Sequence, residues 1–289
     1  MFFQQLLNGI CQGSIYALMA IGYTMILGIT GLVTFAYGET IMIGAYAAFY
    51  SFAAFGTNLP LAFVFSFFAS AILGIVIYKV CYENFLNAPR YIPLILTIAM
   101  SILIKNLATI IFGSEMKGMP NIFKNASIQI GNARISIIPV VIMIIVIILL
   151  ILLYLFLGRT AIGLKLKAVT QDKRTAALMG IDVRRTAMLG NIIGCGLGGI
   201  SGILLSLYYN YLLPNMGGIA SLKAFSSSVL GGLVNTGYSA IGGMLLGLLE
   251  TLGISIWSSS IRDVIAFCFL IIMLMIFPNG IAKAKGKRL

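Results

Sequence analysis

Histidine is absent from this chain, and only seven acidic residues stand against nineteen Lys and Arg. Without imidazole the usual His-ligated metal centres and Ser-His nucleophiles are excluded, and the few acids are too dispersed to form a recognisable catalytic diad. Charge of either sign is scarce: 9% of residues are charged, 60% are hydrophobic and mean hydropathy is +1.07. A soluble domain, with about 25% charged residues, is excluded by that balance. The four cysteines, Cys11, Cys81, Cys195 and Cys268, stand singly with no metal-type or redox-type spacing and read as small packing residues. No basic region precedes the apolar N-terminal stretch, which therefore reads as a retained first span and not as a cleaved signal peptide.

What the chain has instead is long apolar runs. A helix needs about 20 apolar residues to cross about 30 Å of hydrocarbon, and that length recurs throughout. Runs such as residues 137–157 lack the alternating polar positions of a membrane β-barrel. The expected fold is a single all-α polytopic membrane domain, residues 1–289, with about eight transmembrane helices at 6–27, 39–55, 59–78, 92–112, 137–157, 187–208, 240–256 and 264–277. The count closes only if a short, glycine-terminated half-helix at 224–234 returns from the outer side.

One long polar stretch interrupts this pattern, GRTAIGLKLKAVTQDKRTAALMGIDVRR at 158–185, within a loop extending to 186. It carries Arg159, Lys165, Lys167, Lys173, Arg174, Arg184 and Arg185 against Asp172 and Asp182. Basic loops beside apolar spans stay in the cytoplasm. Lys79, Arg90 and the tail with Lys283, Lys285, Lys287 and Arg288 fall on the same side, and Lys117, Lys124, Arg134, Lys223 and Arg262 on the other. The C-terminus is thus expected in the cytoplasm and the N-terminus outside. The net charge of +12 is accounted for by this asymmetry and needs no nucleic acid. Within the loop Thr170 is expected to cap a short helix, Asp172 to lie in its first turn, and Gly180 to follow Met179 as a left-handed stop. Ala176, Ala177, Leu178, Met179 and Ile181 give that helix an apolar surface suited to docking. The alternative is a solvated loop with an incidental helical turn.

Two segments break the helical pattern, residues 28–38 (GITGLVTFAYG) and 215–237. Broken helices at membrane depth occur where they are buried in protein or line a cavity. Each break precedes small residues at every fourth position, Thr40, Gly44 and Ala48 in one case and Ser239, Gly243, Gly247 and Thr251 in the other, a hint of two related halves. Gly190, Gly194, Gly198 and Gly202 form a ladder on one helix face, where backbones can approach closely. The formal GxGxxG match at Gly194, Gly196 and Gly199 has no strand before it, and the C-terminal GIAKAKGKRL has neither the spacing nor the Ser or Thr of a phosphate loop. Intramembrane ionisable groups cost about 2.5–3.5 kcal/mol each near a span centre, which singles out Glu39, Lys105 and Glu250. Lys105 reads either as a functional charge or as one that snorkels outward. Glu39 opens a helix where the dipole favours a carboxylate, either at an interface or beside a cavity. The irregular segment with Thr34, Phe35, Tyr37, Gly38 and Glu39, together with Lys105, is the candidate translocation pathway.

An ordered set of short matches then carries a family resemblance. Asn8-Gly9, Gly13-Ser14-Ile15-Tyr16-Ala17-Leu18, Phe35-Ala36 with Gly38-Glu39, Leu103-Ile104-Lys105-Asn106-Leu107, Gln171-Asp172, Ala176-Ala177-Leu178-Met179-Gly180-Ile181, Lys223-Ala224-Phe225 and Val229-Leu230-Gly231-Gly232 fall in sequence over nearly the whole chain. The set resembles the LivH-type permeases of bacterial branched-chain amino acid ABC importers. Tyr37, where that family usually has histidine, and Lys167, where arginine is commoner, are departures. The resemblance implies an inner-membrane subunit paired with a second, LivM-like permease, two cytoplasmic ATPases and an extracytoplasmic substrate-binding protein. It implies alternating access driven by ATP, with ATP and magnesium held by the ATPases and no cofactor on this chain. It also makes 158–186 the coupling loop, with Asp172 and Ala176 to Ile181 facing an ATPase. Relatives in the wider family import urea, amides or sugars, and the rival class is a stand-alone secondary carrier or channel using Glu39, Lys105 and Glu250.

Overall fold

A computed structural model describes residues 2–56, 58–85, 88–89, 91–120, 127–130, 133–232, 235–256 and 262–276. Arg90, Lys124, the side chain of Arg134, the expected half-helix end at 233–234 and the tail from Phe277 onward lie outside the described residues. Eleven helices are described: α1 (Phe2–Thr30), α2 (Tyr37–Phe55), α3 (Leu59–Ile77), α4 (Tyr91–Phe112), α5 (Ile137–Arg159), α6 (Ala161–Gln171), α7 (Lys173–Leu178), α8 (Val183–Tyr209), α9 (Met216–Leu230), α10 (Thr236–Ile256) and α11 (Arg262–Ile276). A π-helical turn, Tyr78–Glu83, extends α3. Two small antiparallel pairs escaped the sequence reading: β1 (Lys117–Gly118) with β4 (Tyr211–Leu212), and the hairpin of β2 (Ser127–Ile130) and β3 (Ala133–Ser136).

Among the described residues six helices, α1, α3 with its extension, α4, α5, α8 and α10, are long and apolar enough to cross a membrane. Of the eight spans expected, α2 and the described part of α11 do not reach that standard. Burial sorts the six. In α1 94% of the most apolar window is inside the protein, against 17% in α4 and α5, so α1 is the central helix and α4 and α5 lie at the perimeter. Composition explains the difference. On α5 the buried side chains Ile142, Val146, Leu153 and Leu157 recur at helical spacing on one face, and the remaining Ile, Leu and Val side chains form the apolar surface a bilayer requires.

The centre is built on absent side chains. A Cβ at Gly194 would overlap the Gly22 carbonyl of α1, one at Gly202 the Ile41 carbonyl of α2, and one at Gly199 the Ser70 hydroxyl of α3. The glycine ladder of α8 is therefore an interface within the chain, with α1 and α2 on one side and α3 close by. Running antiparallel to α1, α10 brings Gly243 and Gly247 against the backbone of Ala17 and Gly13. The fourfold spacing of small residues thus reports two close helix contacts, α2 with α8 and α1 with α10. A hydroxyl and an amide tie α3 to the same bundle: Ser70 Oγ donates to Thr40 O of α2 at 2.8 Å and Asn191 Nδ2 of α8 to Gly74 O at 2.6 Å.

The molecule has two distinguishable ends. At the basic end Lys173 Nζ donates to Thr30 O, where α1 finishes, and Tyr78 OH donates to Arg184 O at the foot of α8. At the other end the β1–β4 pair holds the end of α4 beside the end of α8, and Asn210, in the left-handed conformation at φ 61°, stops α8. The half-helix runs from this second end. It is α9, Met216–Leu230, followed by Gly231, and so starts eight residues earlier than the sequence suggested and ends before residue 234. Its 15 residues span about 22 Å at 1.5 Å per residue, short of the hydrocarbon thickness.

Candidate functional site

The break after α1 turns back into the bundle. Gly31 adopts φ +72°, and six residues later Tyr37 OH donates to Met19 O at 3.0 Å, well inside α1. Helix α2 therefore begins at depth. The irregular segment is held by unusual donors and acceptors: Thr34 N donates to Tyr23 OH and Phe35 N to Thr97 Oγ1. Gly22 makes room for the Tyr37 ring, whose edge meets Tyr23 at 5.5 Å. Here tyrosine occupies the position between Ala36 and Gly38 as a buried hydrogen-bonding strut.

Glu39 sits in the first turn of α2 and is 1% exposed. Its Oε1 accepts from Ser101 Oγ of α4 at 2.9 Å, and Oε2 has no hydrogen-bond partner among the described residues. Lys105, one turn beyond Ser101 and half-buried, lies on the same face of α4, and its charge acts on the carboxylate. From α9, Gly217 approaches so closely that a Cβ there would stand 3.0 Å from Oε2, and Gly38 in turn abuts the Gly217 carbonyl. Thr34, Phe35, Tyr37, Gly38, Glu39 and Lys105 are thus brought to one region where α2, α4 and α9 converge. The buried carboxylate keeps one oxygen available there.

At the basic end the loop holds two helices where one was expected. Thr160 caps α6, its hydroxyl accepting from Gly163 N at 3.0 Å. Thr170 lies inside α6 and donates to Leu166 O, so its expected capping role is corrected: Asp172 is the cap. The Asp172 carboxylate accepts from Thr175 Oγ1, Arg174 N and Thr175 N. The Thr175 hydroxyl first, then the two backbone N–H groups, hold its carboxyl below the usual range. A depressed carboxyl favours the capped helix above the unfolded value and loses that contribution only as pH falls through the folded one. The charged cap therefore persists at neutral pH. Gly180, at φ +79°, ends the unit as expected. The apolar surface divides. Ala176 is 3% exposed and Ile181 half-buried against the chain's own core, whereas Leu178 and Met179 are 89% and 79% exposed and Ala177 and Gly180 are also open. The expectation that all five apolar residues form a surface suited to docking is corrected for Ala176 and Ile181, which pack inward.

The sequence reading missed a third constellation. The charge pattern places Lys223 and Arg262 on the outer side, but Lys223 lies within α9, 5% exposed. Its Nζ donates to Glu250 Oε1 at 2.9 Å and to Tyr16 OH at 3.1 Å, and lies 3.0 Å from Asp263 Oδ1. Glu250 is fully buried, and its Oε1 is also 3.2 Å from Arg262 Nε. Arg262 lies over the Tyr209 ring at 4.9 Å. Gln12 Nε2 donates to both Tyr16 OH and Tyr209 OH. The signal available in the sequence was Glu250 itself, since an acid deep in an apolar helix calls for a cation. Beside the cluster, at the end away from the basic loop, a cavity of about 260 Å³ is lined by Tyr16, Tyr209, Tyr211, Lys223, Arg262 and Asp263 among others.

Comparison with known proteins agrees with this architecture. Residues 5–276 match the family model described as "Branched-chain amino acid transport system / permease component". The chain is 36% identical over 293 residues to the high-affinity branched-chain amino acid transport system permease protein LivH of Escherichia coli (strain K12), covering 97% of this chain and 95% of that one. It is 35% identical to LivH of Salmonella typhimurium and 34% identical to BraD of Pseudomonas aeruginosa, each over 292 residues with the same coverage. A match over nearly the full length, carried by a helical bundle whose perimeter is apolar, establishes that this chain belongs to the permease family of branched-chain amino acid transport systems.

Proposed function

We propose that this chain is the permease subunit of an ATP-driven importer of branched-chain amino acids in a bacterial inner membrane. Its partners are a second, LivM-like permease, two cytoplasmic ATPases and an extracytoplasmic substrate-binding protein. ATP and magnesium belong to the ATPases, and this chain is not itself an enzyme. The basic end faces the cytoplasm, in keeping with the positive-inside bias, which sets the N-terminus outside and the C-terminus in the cytoplasm.

The observation that carries the reading is the short, well-capped α7, which leaves Leu178 and Met179 open at the basic end while Ala176 anchors it to the bundle. Two large apolar side chains exposed together at the tip of a rigid element fit a hydrophobic groove on a partner protein. Movement of that partner would reach the bundle through Lys173 and Thr30 at the end of α1 and through Ile181 at the entrance to α8. Glu39, with Lys105 and the segment Thr34 to Gly38, supplies the polar lining of the translocation path in this reading.

Co-expression with the paired permease and the two ATPases tests the proposal. Affinity purification through this chain is expected to recover both ATPases in stoichiometric amount. Recovery of a folded, monodisperse chain free of any ATPase under conditions that preserve the complex would contradict it and favour a stand-alone carrier.

A further inference from the structure

We propose that the cavity beside Lys223, Arg262 and Asp263 is a zwitterion-binding subsite of the permease, taking the α-carboxylate and α-ammonium of a free amino acid. The inference rests on the importer reading above and goes beyond it, because it gives this chain a substrate contact of its own at the end away from the ATPases.

Stability does not account for the cluster. Two cations and two anions, Lys223, Arg262, Glu250 and Asp263, are gathered where α9, α10 and α11 meet. Burying an ion pair is roughly neutral or unfavourable against apolar side chains of the same volume, and ionisable groups inside membrane proteins mark functional sites. The internal pairing is also incomplete. Glu250 Oε2 is buried without a hydrogen-bond partner, and Arg262 Nε, though close to Glu250, donates no well-aligned hydrogen bond. Among the described residues nothing accepts from the remainder of the guanidinium, which leaves its planar, bidentate edge for a carboxylate. Asp263 meets Lys223 through Oδ1 alone, its side chain is 42% exposed, and it lines the cavity next to Arg262.

A free donor edge and a free carboxylate oxygen on adjacent residues match a ligand with both charged groups on one carbon. A ligand with one charge would engage only one of the two groups and forgo the second charge-assisted contact. The size fits as well. At about 260 Å³ the cavity lies just under the ~300–1,000 Å³ of pockets for drug-sized ligands, which suits a single amino acid. Leu205, Leu213, Met216 and Ile219 line its other wall and offer an apolar side chain its surroundings.

The test uses the assembled complex in detergent without receptor or nucleotide. Saturable binding of labelled L-leucine is expected, with competition by unlabelled L-leucine. The analogues 4-methylpentanoate, which lacks the ammonium, and 3-methylbutylamine, which lacks the carboxylate, are expected to compete at least tenfold more weakly. Arg262→Gln and Asp263→Asn should each weaken binding at least tenfold. Ile219→Trp, which fills the cavity and leaves every charge in place, should abolish it in a complex that still assembles. Equal competition by either single-charge analogue, or undiminished binding in assembled Ile219→Trp complex, would overturn the subsite. Failure of the importer reading would look different, as a complex without receptor-dependent leucine uptake. Intact uptake with no receptor-free binding would sink this inference alone.

Discussion

Glu39 is the residue on which the proposed path turns. Its carboxylate is held by Ser101 and keeps one oxygen unpaired beside Gly217. Glu39→Gln keeps the shape and removes the charge, so the complex is expected to assemble at normal yield while uptake in proteoliposomes falls at least tenfold. Wild-type uptake by the variant would remove Glu39 from the path. Part of this was legible in the sequence: a lone acid just after a glycine-bounded break is conspicuous in so apolar a chain. Its partners were not, because Ser101 lies on another helix 62 positions away and no local pattern links the two. The same limit hid the Lys223 cluster. From its neighbours Lys223 reads as an outer-side charge, yet its counterion Glu250 is brought to it by the packing of α10 on α9.

At the scale of single elements, α7 and α8 make opposite use of small size. Helix α7 is six residues long, far below the length at which a helix persists alone in water, and depends on the Asp172 cap and on Ala176. Leu178→Asp is therefore expected to leave the bundle intact while ATPase recovery drops several-fold. Ala176→Asp buries a charge inside the chain and should lower the yield of the permease itself. Identical phenotypes for the two would contradict the division of this face. On α8, a Cβ at Gly202 would overlap the Ile41 carbonyl of α2, whereas one at Gly198 would meet the side chains of Thr40 and Tyr37, at 3.0 Å. Overpacking a core typically costs about 1–3 kcal/mol. Gly202→Ala is expected to depress the melting temperature of the complex more than Gly198→Ala, and the reverse order would argue against the ladder as drawn. The ladder was readable from spacing alone, because close helix contact in a bilayer selects small residues at every fourth position. Helix α6 was not, since its Lys165 and Lys167 merged into a loop defined by charge. The earlier start of α9 was hidden by Gly217 and Gly218, which read as a break but open the helix.

For the whole molecule, hydropathy located the long helices to within a few residues, because lipid imposes a length that soluble packing does not. It did not rank them. The deeply buried α1 and the perimeter α5 both read as apolar spans, and only the packing tells which apolar faces meet protein. In the proposed function these helices form the membrane path of a machine powered by partner ATPases through α7. The most direct measurement is uptake of labelled L-leucine by proteoliposomes holding the complete complex, with ATP inside and the substrate-binding protein outside. Uptake is expected to require both, to be lost when ATP is replaced by a non-hydrolysable analogue, and not to respond to an imposed proton or sodium gradient. Leucine uptake driven by such a gradient through this permease without the ATPases would contradict it.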